Sequence, residues 1–388
     1  MESAVITLIE NGDVFAPTPL GHQSILLLNG RIAKIGRVDR RKVESFDVEC
    51  EVIDASGCVV CPGLIDPHQH ILGGSGECGF SSMTPEIFTE EVVVFGITTV
   101  VGCLGVDVSM KNMSGLLGKA KALREEGIDA HVWTGGYRVP PATLLSTVRD
   151  DILFVQEVIG VGEVAISDGR SMDPDPAELA KIVHDAYAGG MLGSRCGLTH
   201  FHVGDHEKRL APLRDLIDNY AVDPCWLYPT HVERNEGLMR EAIDLSKRGT
   251  PVDIDVVKED LPRWLPFFLD NGGNSRHLTV SSDSAVNSPR TLFEQLRITV
   301  KEHGFGLDLV LSLATANTAR VLKLDQQGSL ATGKCGHLLI LEQGSLDIVH
   351  VRASGGWMVR DGSLAAHSTW LEGNKREIHL VGTKSAAH

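Results

Sequence analysis

A chain of 388 residues is too long for one small core, so a large barrel with a second small domain is the natural expectation. With 43% hydrophobic and 22% charged residues, the composition is that of an ordinary globular protein and excludes wholesale disorder. A formal net charge of −15 argues against nucleic acid or an anionic membrane as the main partner, while leaving room for a local basic pocket that takes an anionic substrate.

Met1-Glu2-Ser3-Ala4 carries no basic stretch, so a secretory signal is not expected. Residues 1–60 read as short strands joined by tight turns. Residues 5–9 run into Glu10-Asn11-Gly12-Asp13, and residues 25–28 run into Asn29-Gly30-Arg31; Asn-Gly between apolar runs is a strong hairpin signal. The eight cysteines are scattered, with Cys58-x-x-Cys61 the only close pair, which predicts reduced thiols in a cytoplasmic setting. The uncharged run 92–106 is too short to span a bilayer.

From 61 to 327 the pattern alternates between apolar strand-like runs and helical spacing. Strand-like residues 97–101 precede a helix predicted over 113–126, and 130–134 precede one over 148–158. Residues 161–166 precede a helix over 176–189, after which Met191-Leu192-Gly193 and residues 197–202 read as strand-like and 210–219 as helix. Residues 227–231, 252–256 and 278–282 are followed by helices over 237–248, 262–271 and 289–303. About eight such units predict an α/β fold, a (β/α)8 barrel with its chemistry at the C-terminal ends of the strands. Residues 328–388 return to short strands, so a small β-sandwich domain built from 1–60 and 328–388 is expected beside the barrel.

The chemistry-bearing residues gather at the predicted strand ends. Cys61-Pro62-Gly63-Leu64-Ile65-Asp66-Pro67-His68-Gln69-His70 closes the first barrel strand on two histidines that share a face. Glu163 lies in a later strand, and His202, His231 and Asp283 each end one. Singly, each has a plain structural reading: a hydrogen-bonded strand-end histidine, a salt-bridge partner, a helix cap. Together, four histidines and two carboxylates in strand-end register fit a two-metal hydrolytic site. Gly74-Ser75-Gly76-Glu77-Cys78-Gly79 fits a dinucleotide fingerprint by letter, but His-Gln-His separates it from the strand and the following residues are loop-like. No Gly-x-Ser-x-Gly elbow is present.

These motifs resemble the amidohydrolase superfamily. Gly73-Gly74-Ser75-Gly76-Glu77, Thr134-Gly135-Gly136-Tyr137, Ser167-Asp168-Gly169-Arg170, Pro229-Thr230-His231-Val232-Glu233-Arg234-Asn235 and Ser281-Ser282-Asp283 make the chain similar to the bacterial isoaspartyl (β-aspartyl) dipeptidases. The resemblance implies two divalent metal ions, zinc first. His68, His70 and Asp283 would hold one, and His202 and His231 the other. Spacing leaves His200 and His202 open; the family pattern selects His202. Glu77 would meet a substrate ammonium, and Arg170 and Arg234 its carboxylates. Tyr137 would stabilise the oxyanion, while Asp283 would shuttle the proton from a metal-activated bridging hydroxide to the leaving amine. The expected reaction is hydrolysis of the isopeptide bond of β-aspartyl dipeptides by a homo-oligomer. The alternative is another binuclear amidohydrolase, such as an N-acyl amino acid deacylase or cyclic amidase.

The chain departs from the family pattern in four places. Relatives bridge their metals with a carbamylated lysine, but no lysine lies between Lys121 and Lys181, and Glu163 takes the bridging role. Val106 stands where a hydroxyl residue is expected. The segment after Asp283 is short, with Asn287 or Ser288 as the substitute substrate contact. Gly336-His337 replaces an acidic pair.

Overall fold

The computed structural model describes residues 6–45, 48–74, 76–258 and 260–366. Val5, Ser75 and residues 367–388 of the expected sandwich half lie outside them. Strands β1 (Ile6–Phe15), β2 (Pro19–Leu28) and β3 (Arg31–Gly36) form an antiparallel meander turned by Asn29-Gly30, both residues with positive φ as that turn requires. Strands β4 (Cys50–Asp54) and β5 (Cys58–Pro62) add in parallel to β1.

The chain then enters the barrel. Strands β6 (Leu64–Gln69), β7 (Ile97–Gly102), β8 (Asp129–Thr134), β9 (Val158–Ile166), β10 (Thr199–Val203) and β11 (Leu227–Thr230) are parallel neighbours in chain order. Strands β12 (Val252–Asp255) and β13 (Leu278–Ser281) form a further parallel pair. Side chains stitch the seams between the two parts. Across β11 and β12, Thr230 Oγ1 donates to Asp253 Oδ2 at 2.9 Å and Tyr228 Oη to Asp253 Oδ1 at 3.1 Å. Beside β6, Ser282 Oγ donates to Asp66 Oδ2 at 2.6 Å, and Gln69 bridges to Ser284. The ring is buried on both faces, which is why its strands read as near-continuous apolar runs.

Inside the ring, Ile65, Val101, Trp133 and Tyr228 pack with Ala319 and Leu322. Ala319 lies in, and Leu322 just follows, the second of two short helices, Leu307–Leu313 and Ala316–Val321, that sequence periodicity left unread. Strands β14 (Leu338–Glu342), β15 (Ile348–Ala353), β16 (Gly356–Arg360) and β17 (Ser363–Leu364) return to the first sheet, where β14 pairs with β5. The two ends of the chain thereby share one nine-stranded sheet with its own small core of Ile9, Ile25, Leu27, Val60 and Ile340.

Three element readings are corrected. The turn expected at Glu10-Asn11-Gly12-Asp13 is not a hairpin: β1 runs through it to Phe15, and only its register with β2 slips, between Ile9 and Gly12. Met191-Leu192-Gly193 is not a strand but the end of the helix Pro176–Gly193, which opens on an Asp175–Glu178 capping box and stops only at left-handed Ser194. The helix expected over 148–158 stops at Phe154, because extended Val155 ends it and β9 starts at Val158.

Candidate metal centre

The strand ends bring six of the expected side chains together. His68 is fully buried, and its ring meets that of His70 edge to face at 5.4 Å. Glu163 is fully buried within β9. The residue before it must be glycine: a Cβ on Gly162 would lie 2.6 Å from His200 Cβ and 2.8 Å from His200 O. That close approach of β9 to β10 brings Glu163 beside His202.

The two oxygens of Glu163 face different histidine pairs. Oε1 lies 3.4 Å from His68 Nε2 and 3.5 Å from His70 Nε2. Oε2 lies 3.2 Å from His202 Nδ1 and 3.6 Å from His231 Nε2. Asp283 joins the first pair, with Oδ1 at 3.5 Å from His68 Nε2 and 3.2 Å from His70 Nε2. Ligands about 2.1 Å from one tetrahedral ion sit about 3.4 Å apart, so these separations suit a coordination shell. Both ring nitrogens of His68 and Oε1 of Glu163 are buried without a hydrogen-bond partner. Buried polar atoms are seldom left so, and a cation between His68 Nε2 and Glu163 Oε1 would satisfy both. Imidazoles with carboxylates suit a divalent transition metal ion.

The electrostatics follow from the packing. Burial opposes charge on Glu163, but the His68 imidazole and hydrogen bonds from the surrounding histidines outweigh it and hold the carboxyl well below its usual range. Burial likewise opposes a charged His68, yet the Glu163 carboxylate raises it well above an ordinary imidazole. His231 goes the other way, pushed down to about 3 by burial and by His202.

Asp255, at the end of β12, escaped the sequence reading. Its Oδ2 contacts His231 Nδ1, its Oδ1 lies 3.7 Å from His68 Nδ1, and Ser281 Oγ donates to Oδ1 at 2.7 Å. It backs one histidine from each pair, as carboxylates behind metal-binding imidazoles do. The signal was there: Asp253 and Asp255 alternate with Val252 and Ile254 in a run read as wholly apolar. The structure also separates the two histidines that spacing left equivalent. His200 stacks on Trp133 at 5.1 Å with Nδ1 3.1 Å from Tyr228 O, while His202 faces Glu163.

Beside the cluster lies a cavity of about 360 Å³ walled by Glu77, Val106, Tyr137, Arg170 and Arg234. The Tyr137 hydroxyl lies 2.7 Å from His202 Nδ1, and burial pushes its pKa well above the usual value, so the phenol keeps its proton. Arg170 Nη1 pairs with Glu77 Oε1 at 2.7 Å, and its Nη2 with Asp168 Oδ2 at 2.8 Å. Two residues expected to meet opposite charges of a substrate therefore meet each other. Arg234 is looser, 3.7 Å from Asp205. Lys111 and Glu233, neither singled out from sequence, also line the cavity; Lys111 Nζ donates to Leu72 O at 2.6 Å. Ser288 stays outside: it is exposed and its hydroxyl accepts from the Arg290 N–H at 3.3 Å, while Val286 and Asn287 occupy the wall. The turn into the next helix faces Ser288 away.

Comparison with known proteins agrees with this geometry. Residues 199–374 match the amidohydrolase family. The crystal structure of a β-aspartyl dipeptidase from the thermophilic keratin degrader Fervidobacterium islandicum AW-1 is 35% identical, with a TM-score of 0.89 over 93% of this chain and 99% of that one. This chain belongs to the amidohydrolase family. Its place there is with the isoaspartyl dipeptidases, and it is a hydrolase. The same Fervidobacterium enzyme in complex with a β-Asp-Leu dipeptide is 34% identical at a TM-score of 0.88, covering 93% of this chain and 99% of that one. Adenine deaminase of Geobacillus kaustophilus (strain HTA426) is 25% identical over 355 residues, 87% of this chain and 54% of that protein. The chain spans about half the length of the curated relatives it matches.

Proposed function

We propose that this amidohydrolase cleaves the isopeptide bond of β-aspartyl dipeptides. The observation that carries the reading is the charge layout of one cavity, with a histidine–carboxylate cluster at its inner end and Glu77, Arg170 and Arg234 on its walls. A β-aspartyl dipeptide carries one ammonium and two carboxylates. Glu77 suits the ammonium, and the planar guanidinium groups suit the carboxylates. Substrate entry then exchanges the Glu77–Arg170 pair for equivalent pairs with the ligand. The relative that holds β-Asp-Leu supports this assignment.

Two divalent ions, zinc first, fit the two faces of Glu163. His68, His70 and Asp283 would hold one, and His202 and His231 the other; manganese, cobalt or iron suit the same donors. Such ions supply Lewis acidity and lower the pKa of water to about 7. The remaining work falls to side chains. Asp283 touches the first histidine pair and also lines the cavity, so it is placed to take the nucleophile's proton and return it to the leaving amine. Burial raises its pKa, but the His70 hydrogen bond and the His68 charge win and hold it down to about 2. It is therefore ionised near neutral pH. Tyr137, kept protonated, turns its O–H from His202 toward the developing oxyanion.

The test is amino acid release by zinc-loaded protein from matched β-aspartyl and α-aspartyl dipeptides, with adenine as a control for ammonia release. Cleavage of the β-linked set alone is expected. No cleavage of either, with metal bound, keeps the hydrolase and discards the dipeptidase. The second reading, an N-acyl amino acid deacylase or cyclic amidase acting on a small charged amide, draws on apolar Val106 in the wall and on Ser288 outside it.

A further inference from the structure

A metal-binding imidazole is aimed by whatever its second nitrogen meets. Three histidines of the cluster meet carboxylate oxygen. His231 Nδ1 contacts Asp255, His68 Nδ1 lies 3.7 Å from Asp255 Oδ1, and His202 Nε2 lies 3.0 Å from Asp168 Oδ2. His70 is different. Its Nε2 faces Asp283 and Glu163 at 3.2 and 3.5 Å, while its Nδ1 faces the sulfur of Cys103 at 3.6 Å.

The strand ladder dictates this contact. Gln69 pairs with Gly102 across β6 and β7, and the next residue, Cys103, donates its N–H to Gln69 O at 2.9 Å. That sets the sulfur of Cys103, a residue 1% exposed, beside the ring. The ring is also hemmed in: a Cβ at Gly105 would lie 3.0 Å from His70 Cε1, and one at Gly74 would lie 3.4 Å from its Cγ. Cys103 belongs to the buried group of His68, His70 and Glu163, whose candidate donor atoms all lie within 4.8 Å of one another.

We propose that Cys103 is the positioning residue of His70: its sulfur accepts a hydrogen bond from Nδ1–H and so fixes the tautomer that offers Nε2 to the cation. This rests on the reading of His68 and His70 as metal ligands. Sulfur is a weaker acceptor than carboxylate, so the His70 ring is held less firmly than the three imidazoles that meet carboxylate oxygen. The cation on the His68–His70 side is then the more readily lost of the two.

The experiment is a competition titration of zinc against a chromophoric chelator, on the full chain and on its Cys103→Val and Cys103→Ser variants. Valine fills the space and cannot accept a hydrogen bond; serine can. The valine variant should bind one equivalent of zinc about 10–100-fold more weakly, with serine close to the parent and the metal-free proteins melting alike. Should the valine variant not fold, Cys103→Ala carries the same comparison with serine. Parent affinity in the valine variant, or equal losses in valine and serine, would overturn the inference. So would a near-ultraviolet thiolate-to-metal band in the cobalt-loaded protein that Cys103→Ser removes, because sulfur would then sit on the ion itself. A parent protein that binds no cation defeats the metal-centre reading as well, whereas cation binding indifferent to Cys103→Val defeats this inference alone.

Discussion

The two ends of the barrel hold their buried carboxylates differently. At the C-terminal end, His68 and Glu163 face each other with buried atoms left unpaired. At the N-terminal end, Asp129 opens β8 and is well compensated: Gln327 Nε2 donates to it, and Arg124 and His131 stand 3.7 and 3.5 Å away. Burial raises the Asp129 pKa, but the nearby His131 and Arg124 bring it down to about 2. The terminal sheet is anchored nearby, where the Gly63 N–H donates to His337 O at 3.0 Å. One end is built to bind, the other to hold the barrel to its sheet. Substitutions at the first end should therefore cost activity or metal, and substitutions at the second should cost stability alone.

The sharpest way to break that division is Asp283→Asn. It should keep the bound metal, measured by elemental analysis, and lose turnover by roughly 10²–10⁴-fold. Full activity in that variant would sink the proton shuttle. Glu163→Gln comes next. It removes the charge that both histidine pairs face, so metal content should fall below that of the parent while the metal-free protein melts no lower. Unchanged metal content would take Glu163 out of the bridge.

The sequence made one end of the barrel much more legible than the other. His68 and His70 share a strand face by simple alternation, and His231 and Asp283 end apolar runs, so the cluster could be located before any coordinates. What spacing could not resolve was rotation. His200 and His202 lie on one face, and only the packing of His200 against Trp133 separates them. Asp255 was missed because a buried aspartate in a short apolar run looks like an exposed one until its partners on β6 and β11 are known. Asn287 or Ser288 was expected to stand in for the family's longer loop after Asp283; Asn287 reaches the wall, and the turn into the next helix faces Ser288 away. The two short helices that pack with the barrel interior carry no clear helical stripe, because Ala319 and Leu322 are buried by tertiary contacts that sequence alone does not display.

Asp255 offers a finer test of the binding end. Asp255→Asn keeps the shape but withdraws the charge behind His68 and His231, and metal affinity should drop about 10–100-fold, read by the same chelator competition. If the affinity does not move, the contact to His231 is packing and not orientation.

The smallest expected effect belongs to the other end. His337 is buried, with Nε2 2.9 Å from Ser354 Oγ, and burial pushes its pKa down to about 4. A free imidazole titrates near about 6.5, so the unfolded chain takes up a proton that the folded chain refuses. The stability tied to neutral His337 is thus whole above about pH 6.5 and is lost as pH falls toward about 4, by about 2–3 kcal/mol. Asp129, depressed to about 2, adds its own loss only in the lower window beneath about pH 4. Denaturant melts of His337→Asn and the parent at pH 7 and 4.5 separate the two groups: the variant should lose less stability between those pH values and show unchanged turnover per folded molecule. Equal acid sensitivity would move the effect off His337, and altered turnover would mean that the two ends of the barrel are coupled.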